Sequence, residues 1–179
     1  LDTDKIKEIC AETANMTNQC VQAVNFNCPG QIVIAGATEA VHKACDRLKE
    51  AGAKRAILLP VSAPFHSTLM QPAADRLKEV LDSVEIVDAK IPVVANVNAK
   101  PETKADEIRS QLVLQAASPV LWEDSVRRMM NDGVDTFVEV GPGKVLCGFI
   151  KKVDRSYAPL NVEDMESLEK SLAYLKEVR

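Results

Sequence analysis

Asn25-Phe26-Asn27-Cys28-Pro29-Gly30-Gln31-Ile32-Val33-Ile34-Ala35-Gly36 sets two runs of strand-forming residues on either side of a Pro-Gly turn. Residues 21–27 alternate apolar with polar, residues 32–36 form a short apolar run, and Cys28-Pro29-Gly30 supplies the turn chemistry, so the stretch predicts a hairpin. Upstream, Ile6, Ile9, Cys10 and Ala14 recur at helical spacing, which predicts a helix over residues 4–14 capped by Thr3 or Asp4. Downstream, Thr38 reads as a cap for a second helix through Ala40, Val41, Ala44, Cys45 and Leu48, with Gly52 as its stop. Residues 56–59 then read as a buried strand.

Helix, strand, strand, helix, strand is the order of a ferredoxin-like split βαβ unit without its first strand. A sheet short of one strand exposes an unpaired edge, so the order itself predicts a completing segment outside this sequence. After Pro60 the pattern changes. Residues 69–81, 108–117, 122–131, 145–153 and 165–178 read as helices, and 92–96 and 136–140 as extended segments, which fits an α/β layer. The expected fold is therefore α/β. Residues 1–60 form an incomplete ferredoxin-like small subdomain, and residues 61–179 the C-terminal part of a large, α/β-hydrolase-like parallel-sheet subdomain. The chain opens on Leu1 with neither an initiator methionine nor a signal peptide, which reads as a cut edge, whereas Arg179 after the closing helix reads as a natural terminus.

At 179 residues, 46% apolar and 27% charged, the composition is that of a globular domain. No apolar run approaches the roughly 18 residues of a membrane span. A net charge of −4 argues against a phosphate-binding cationic face, so neither membrane nor nucleic acid is an expected partner. Cys10, Cys20, Cys28, Cys45 and Cys147 make an odd number with no C-x-x-C pair, which points to core thiols in a reducing, cytoplasmic setting.

The chemistry concentrates at Leu59-Pro60-Val61-Ser62-Ala63-Pro64-Phe65-His66-Ser67. It puts a histidine just past an apolar strand, where α/β sheets hold ligands, in a loop stiffened by two prolines. His66 is a candidate general base and, on location alone, equally a structural histidine. His42, among Glu39, Lys43 and Asp46, reads as a solvated side chain. Asn25 and Asn27 read as turn-capping residues before Pro29-Gly30. Gly141-Pro142-Gly143-Lys144 lacks the spacing of a phosphate loop and reads as a tight strand-to-helix turn.

Three motifs, residues 25–36, 60–69 and Val138-Glu139-Val140-Gly141-Pro142-Gly143-Lys144-Val145-Leu146, together closely resemble the malonyl-CoA:acyl carrier protein transacylases. The likeness runs from about Ile6 to at least Val153. It implies a ping-pong transfer in which a serine on a Gly-x-Ser-x-Gly elbow takes malonyl from malonyl-CoA and passes it to the phosphopantetheine thiol of acyl carrier protein. His66 inherits the role of base. An oxygen at the family's glutamine position, matched by Gln115, orients the imidazole in place of a triad carboxylate. Asn27, with Asn25, inherits a place in the substrate-pocket wall. Phe65 resembles the aromatic of malonyl-selecting members, whose bulk disfavours an α-methyl branch.

The resemblance implies no metal or cofactor, and a monomer when complete. No Gly-x-Ser-x-Gly occurs in the 179 residues, and neither Ser62 nor Ser67 stands in an elbow. The nucleophile, the carboxylate-pairing arginine and the oxyanion amides are expected from an N-terminal segment, without which this chain is inactive. Two other readings stay open: an acyltransferase domain cut from a polyketide or fatty acid synthase, and a non-catalytic ferredoxin-like binding module in which His66 is dispensable.

Overall fold

A computed structural model describes residues 1–178; Arg179, read as the terminus, lies outside them. Helix α1 (Thr3–Thr17) starts one residue earlier than its expected caps, because Asp2 is the cap and its Oδ1 accepts the Lys5 amide at 2.8 Å. Strands β1 (Val21–Cys28) and β2 (Gln31–Gly36) form the antiparallel hairpin, turning at Gly30 with φ +77°. Helix α2 (Thr38–Glu50) follows, capped by the backbone of Ala37 rather than by the Thr38 side chain. Gly52, at φ +102°, ends it as expected.

Cys10 of α1, Val21 of β1, and Ala40 and Ala44 of α2 make a buried cluster, with Ile6, Ala14, Ile34, Ala37 and Val41 packed against it. Burying Val21 is worth about 1.5–3 kcal/mol and each alanine methyl roughly 0.8 kcal/mol, which anchors the hairpin on the two helices. A polar clasp adds to this, with Arg47 Nη1 donating to the buried Thr13 hydroxyl at 3.0 Å and Nη2 pairing with Glu12.

The hairpin ladder is out of step twice, at Val24 and at Asn27, where β1 has one residue more than β2. Paired residues share a face of a sheet, and β2 is unbroken. Gln22, opposite Ala35, and Asn25, opposite Val33, therefore lie on the same face, although simple alternation would put them on opposite ones. On the outer edge of β1, Val120 donates to the Val24 carbonyl at 2.8 Å and accepts from the Phe26 amide at 2.9 Å, forming a parallel bridge at Asn25.

Residues 56–59 form no strand, contrary to expectation, and Ile57, Leu58 and Leu59 are exposed. An apolar run becomes a strand only where a neighbour supplies ladder partners, and no described residue does. The helix expected from residue 69 begins instead as a 3-10 turn, Thr68–Met70, with α3 (Gln71–Asp82) carrying Pro72 in its first turn. Short strands β3 (Val93–Val94) and β4 (Pro101–Glu102) pair antiparallel, and α4 (Ala105–Leu114) ends at Gln115.

The chain divides into two compact units, Leu1–Ser125 and the described residues from Val126, with α5 (Trp122–Asn131) spanning the boundary. In the second unit, β5 (Val138–Val140), α6 (Val145–Val153) and β6 (Leu160–Val162) form a parallel βαβ unit, closed by α7 (Met165–Glu177). Phe137 meets Tyr157 edge to face at 5.5 Å. The architecture is mixed α/β, with three two-stranded sheets among the described residues.

Candidate active site

His66 adopts φ +62°, in the left-handed region that is uncommon for any residue other than glycine. The loop closes tightly around it. Ser67, 1% exposed, donates its hydroxyl to the Pro64 carbonyl at 2.7 Å and its amide to the same oxygen at 3.2 Å. The reversal directs the half-buried imidazole so that Nδ1 lies 3.1 Å from the backbone carbonyl oxygen of Gln115, just past the end of α4.

A carbonyl has no proton to give, so Nδ1–H is the donor. That contact selects the neutral tautomer whose Nε2 carries the free lone pair. An imidazole held in this way can take a proton from a hydroxyl or thiol at Nε2 and later return it. The structure thus brings His66 and Gln115 together, and the oxygen at position 115 belongs to the main chain.

Strand β1 holds both segments. Gln22 Oε1 accepts the Thr68 amide at 2.9 Å and the Thr68 hydroxyl at 3.1 Å, and the Val120 bridge ties down the chain that follows Gln115. Asn25 sits at that bridge, and Asn27 occupies the second bulge, a feature that re-aims side chains near functional sites. Both are half-buried, and neither carboxamide has a hydrogen-bond partner among the described residues, so they do not cap the Pro29-Gly30 turn. Phe65 is 50% exposed. His42 is exposed on α2, as expected for a solvated side chain. The sequence reading passed over Gln22, whose only signal was a long polar side chain in a strand of otherwise buried neighbours.

In the second unit Gly141-Pro142-Gly143-Lys144 is the strand-to-helix turn expected. Its Gly143 amide donates to the Glu163 carboxylate at 2.9 Å, so a protein carboxylate already fills the place of an anion. Glu139 accepts the Leu146 and Cys147 amides at 3.1 and 2.8 Å. Burial raises its carboxyl, but these amides outweigh burial and hold it below the ordinary range. Cys10, Cys28 and Cys147 are buried and Cys20 and Cys45 half-buried, and no disulfide is formed among the described residues.

A family model described as an acyl transferase domain matches residues 5–171. The malonyl CoA-acyl carrier protein transacylase of Bacillus subtilis (strain 168) is 47% identical over 177 residues, covering 99% of this chain and 56% of that protein. A solved malonyl CoA-acyl carrier protein transacylase from Clostridium perfringens superposes with a TM-score of 0.94 at 42% identity, over 99% of this chain and 55% of that one. A type II PKS acyl-carrier protein in complex with its malonyl-transacylase matches with a TM-score of 0.94 at 45% identity, over 97% of this chain and 56% of that one. The chain spans about half the length of the curated relatives it matches.

Proposed function

The chain belongs to the acyl transferase domain family, and from that premise we propose that it is the histidine-bearing portion of an enzyme that moves malonyl from malonyl-CoA to the phosphopantetheine thiol of an acyl carrier protein. The observation that carries the reading is the 3.1 Å contact between His66 Nδ1 and the Gln115 carbonyl, which leaves Nε2 free. Nε2 takes the proton of a serine hydroxyl as that oxygen attacks the malonyl thioester. The same proton then goes to the departing CoA thiolate, leaving malonyl-serine and neutral His66. The return half runs in mirror image: His66 deprotonates the carrier thiol, which displaces the serine oxygen, and the proton returns to serine. Gln115 acts through its carbonyl, which stabilises the imidazolium less than a buried carboxylate does.

The serine comes from a segment outside these 179 residues, together with the cation that pairs the malonyl carboxylate. A further observation favours such a completing segment. Ile57, Leu58, Leu59 and Val61 leave an apolar run in water, and that run lies directly before the His66 loop. On this reading residues 1–60 are a ferredoxin-like subdomain awaiting its first strand, and residues 61–179 belong to a larger parallel-sheet subdomain. Asn25, Asn27 and Phe65 line the malonyl pocket, and five cysteines without a disulfide among the described residues fit a cytoplasmic site of action.

The test is an intact mass spectrum of the complete protein, before and after incubation with malonyl-CoA. The expected result is a gain of one malonyl unit that discharges onto added acyl carrier protein, much more slowly in His66→Ala. A protein that gains nothing, or that acylates equally fast without His66, refutes the reading and favours the non-catalytic module.

A further inference from the structure

We propose that Gln22 is a positioning residue for His66, an inference that rests on the functional reading above for its effect on rate and on geometry alone for its effect on the imidazole. His66 occupies a left-handed backbone conformation that is uncommon outside glycine, and contacts beyond the loop help to keep it there. The clamp from Ser67 to Pro64 is internal and moves with the loop. The tie to the rest of the unit is made two residues on, where the Thr68 amide opens the 3-10 turn. That amide has no partner within the turn, and Gln22 Oε1 takes it at 2.9 Å while also accepting the Thr68 hydroxyl at 3.1 Å. Cys20 Sγ stands 3.5 Å from both oxygens and closes a small polar network.

Gln22 can do this because of where it is rooted. Its neighbours Val21 and Val24 are 2% and 1% exposed, so the strand beneath it is fixed by packing. The same strand fixes the other partner of the imidazole, because Val24 and Phe26 bond both polar groups of Val120. One strand therefore sets the position of His66, through Gln22 and Thr68, and that of the Gln115 carbonyl, through Val120. The extra residue at Val24 aligns these functions by turning Gln22 to the face that Asn25 occupies. Without the Gln22 oxygen, the Thr68 amide turns to solvent and the backbone of the His66 loop loses its tie to β1, leaving the imidazole contact with the Gln115 carbonyl to hold it.

The complete protein is compared with Gln22→Met, which keeps length and removes the acceptor, and with Gln22→Glu, which retains an acceptor oxygen. Gln22→Met is expected to lower kcat for malonyl transfer by roughly 10- to 100-fold, since small misplacements of a reacting group cost that much. KM for malonyl-CoA should stay within about threefold, and Gln22→Glu should recover most of the loss. In the complete protein the His66 ring resonances should move in Gln22→Met while those of His42 stay in place. If Gln22→Met does not fold, Gln22→Ala is measured in its place. A kcat within twofold of the unsubstituted protein and an unmoved His66 resonance would overturn the proposal. If the unsubstituted protein transfers no malonyl, the functional reading fails by itself. The His66 resonance then decides the positioning role alone: movement sustains it and no movement rejects it.

Discussion

Replacing His66 by alanine and by glycine should separate the two things the residue does, because both changes delete the imidazole and only one relaxes the backbone. At φ +62° an L residue pays about 1–2 kcal/mol for its left-handed conformation, a cost glycine does not bear. Glycine gives back roughly 0.5 kcal/mol through the greater freedom of its unfolded chain. The difference predicts that His66→Gly is more stable than His66→Ala by about 1 kcal/mol. Both lose the bond to the Gln115 carbonyl, worth about 1 kcal/mol net. His66→Gly should therefore unfold close to the unsubstituted protein, with His66→Ala below it. In urea, with a slope near 3 kcal/mol per molar, the two midpoints should differ by about 0.3 M. Malonyl transfer should fall by roughly 10² to 10⁴ in both, since neither can move a proton. Equal midpoints, or a more stable alanine variant, would refute the idea that the loop stores strain at its working residue.

Three further outcomes follow from other parts of the molecule. A Cβ at Gly36 would sit 2.0 Å from the Cys20 carbonyl oxygen and 2.7 Å from Val21 Cα, all backbone. Gly36→Ala should therefore cost about 3 kcal/mol or more by forcing β1 from β2, read as a lowered melting temperature. Burial pushes the Cys10 thiol from its ordinary 9.0 up to about 11, so the folded state keeps a proton that the unfolded chain releases. The associated stability is whole below pH 9 and is lost as pH rises through 11, by an amount on the order of 2–3 kcal/mol, and a Cys10→Ala variant should flatten that slope in urea titrations. Phe65→Ala should narrow the preference for malonyl-CoA over methylmalonyl-CoA by roughly 10-fold or more, read as the ratio of their kcat/KM values, and an unchanged ratio removes Phe65 from the pocket.

The helices were legible where apolar spacing was regular, as in α2 and α6, because periodicity is written in many residues at once. The hairpin was legible from Cys28-Pro29-Gly30, but its two bulges were not, since an added residue in a strand changes no composition and leaves no local signal. Strand β6 escaped notice because Leu160-Asn161-Val162 is too short to establish alternation. Residues 56–59 failed in the other direction: their composition is that of a strand, yet strand formation is a property of pairs. At the site, the loop position of His66 followed from its prolines and the apolar run before it, while the left-handed backbone did not, because nothing in a histidine announces it. Gln22 was invisible for a related reason: its function depends on which face it occupies, and that face is set by Val24.

The oxygen that orients His66 also has a genetic consequence. Because it is a peptide carbonyl, every sense codon at position 115 encodes it, and no missense change at that site can delete the acceptor. A mutational scan would therefore record position 115 as tolerant whenever the end of α4 keeps its path, and it would score the imidazole as if it worked alone. Chemical protein synthesis reaches what genetics cannot: an ester in place of the amide between Gln115 and Ala116 would weaken that carbonyl as an acceptor while every side chain stays the same.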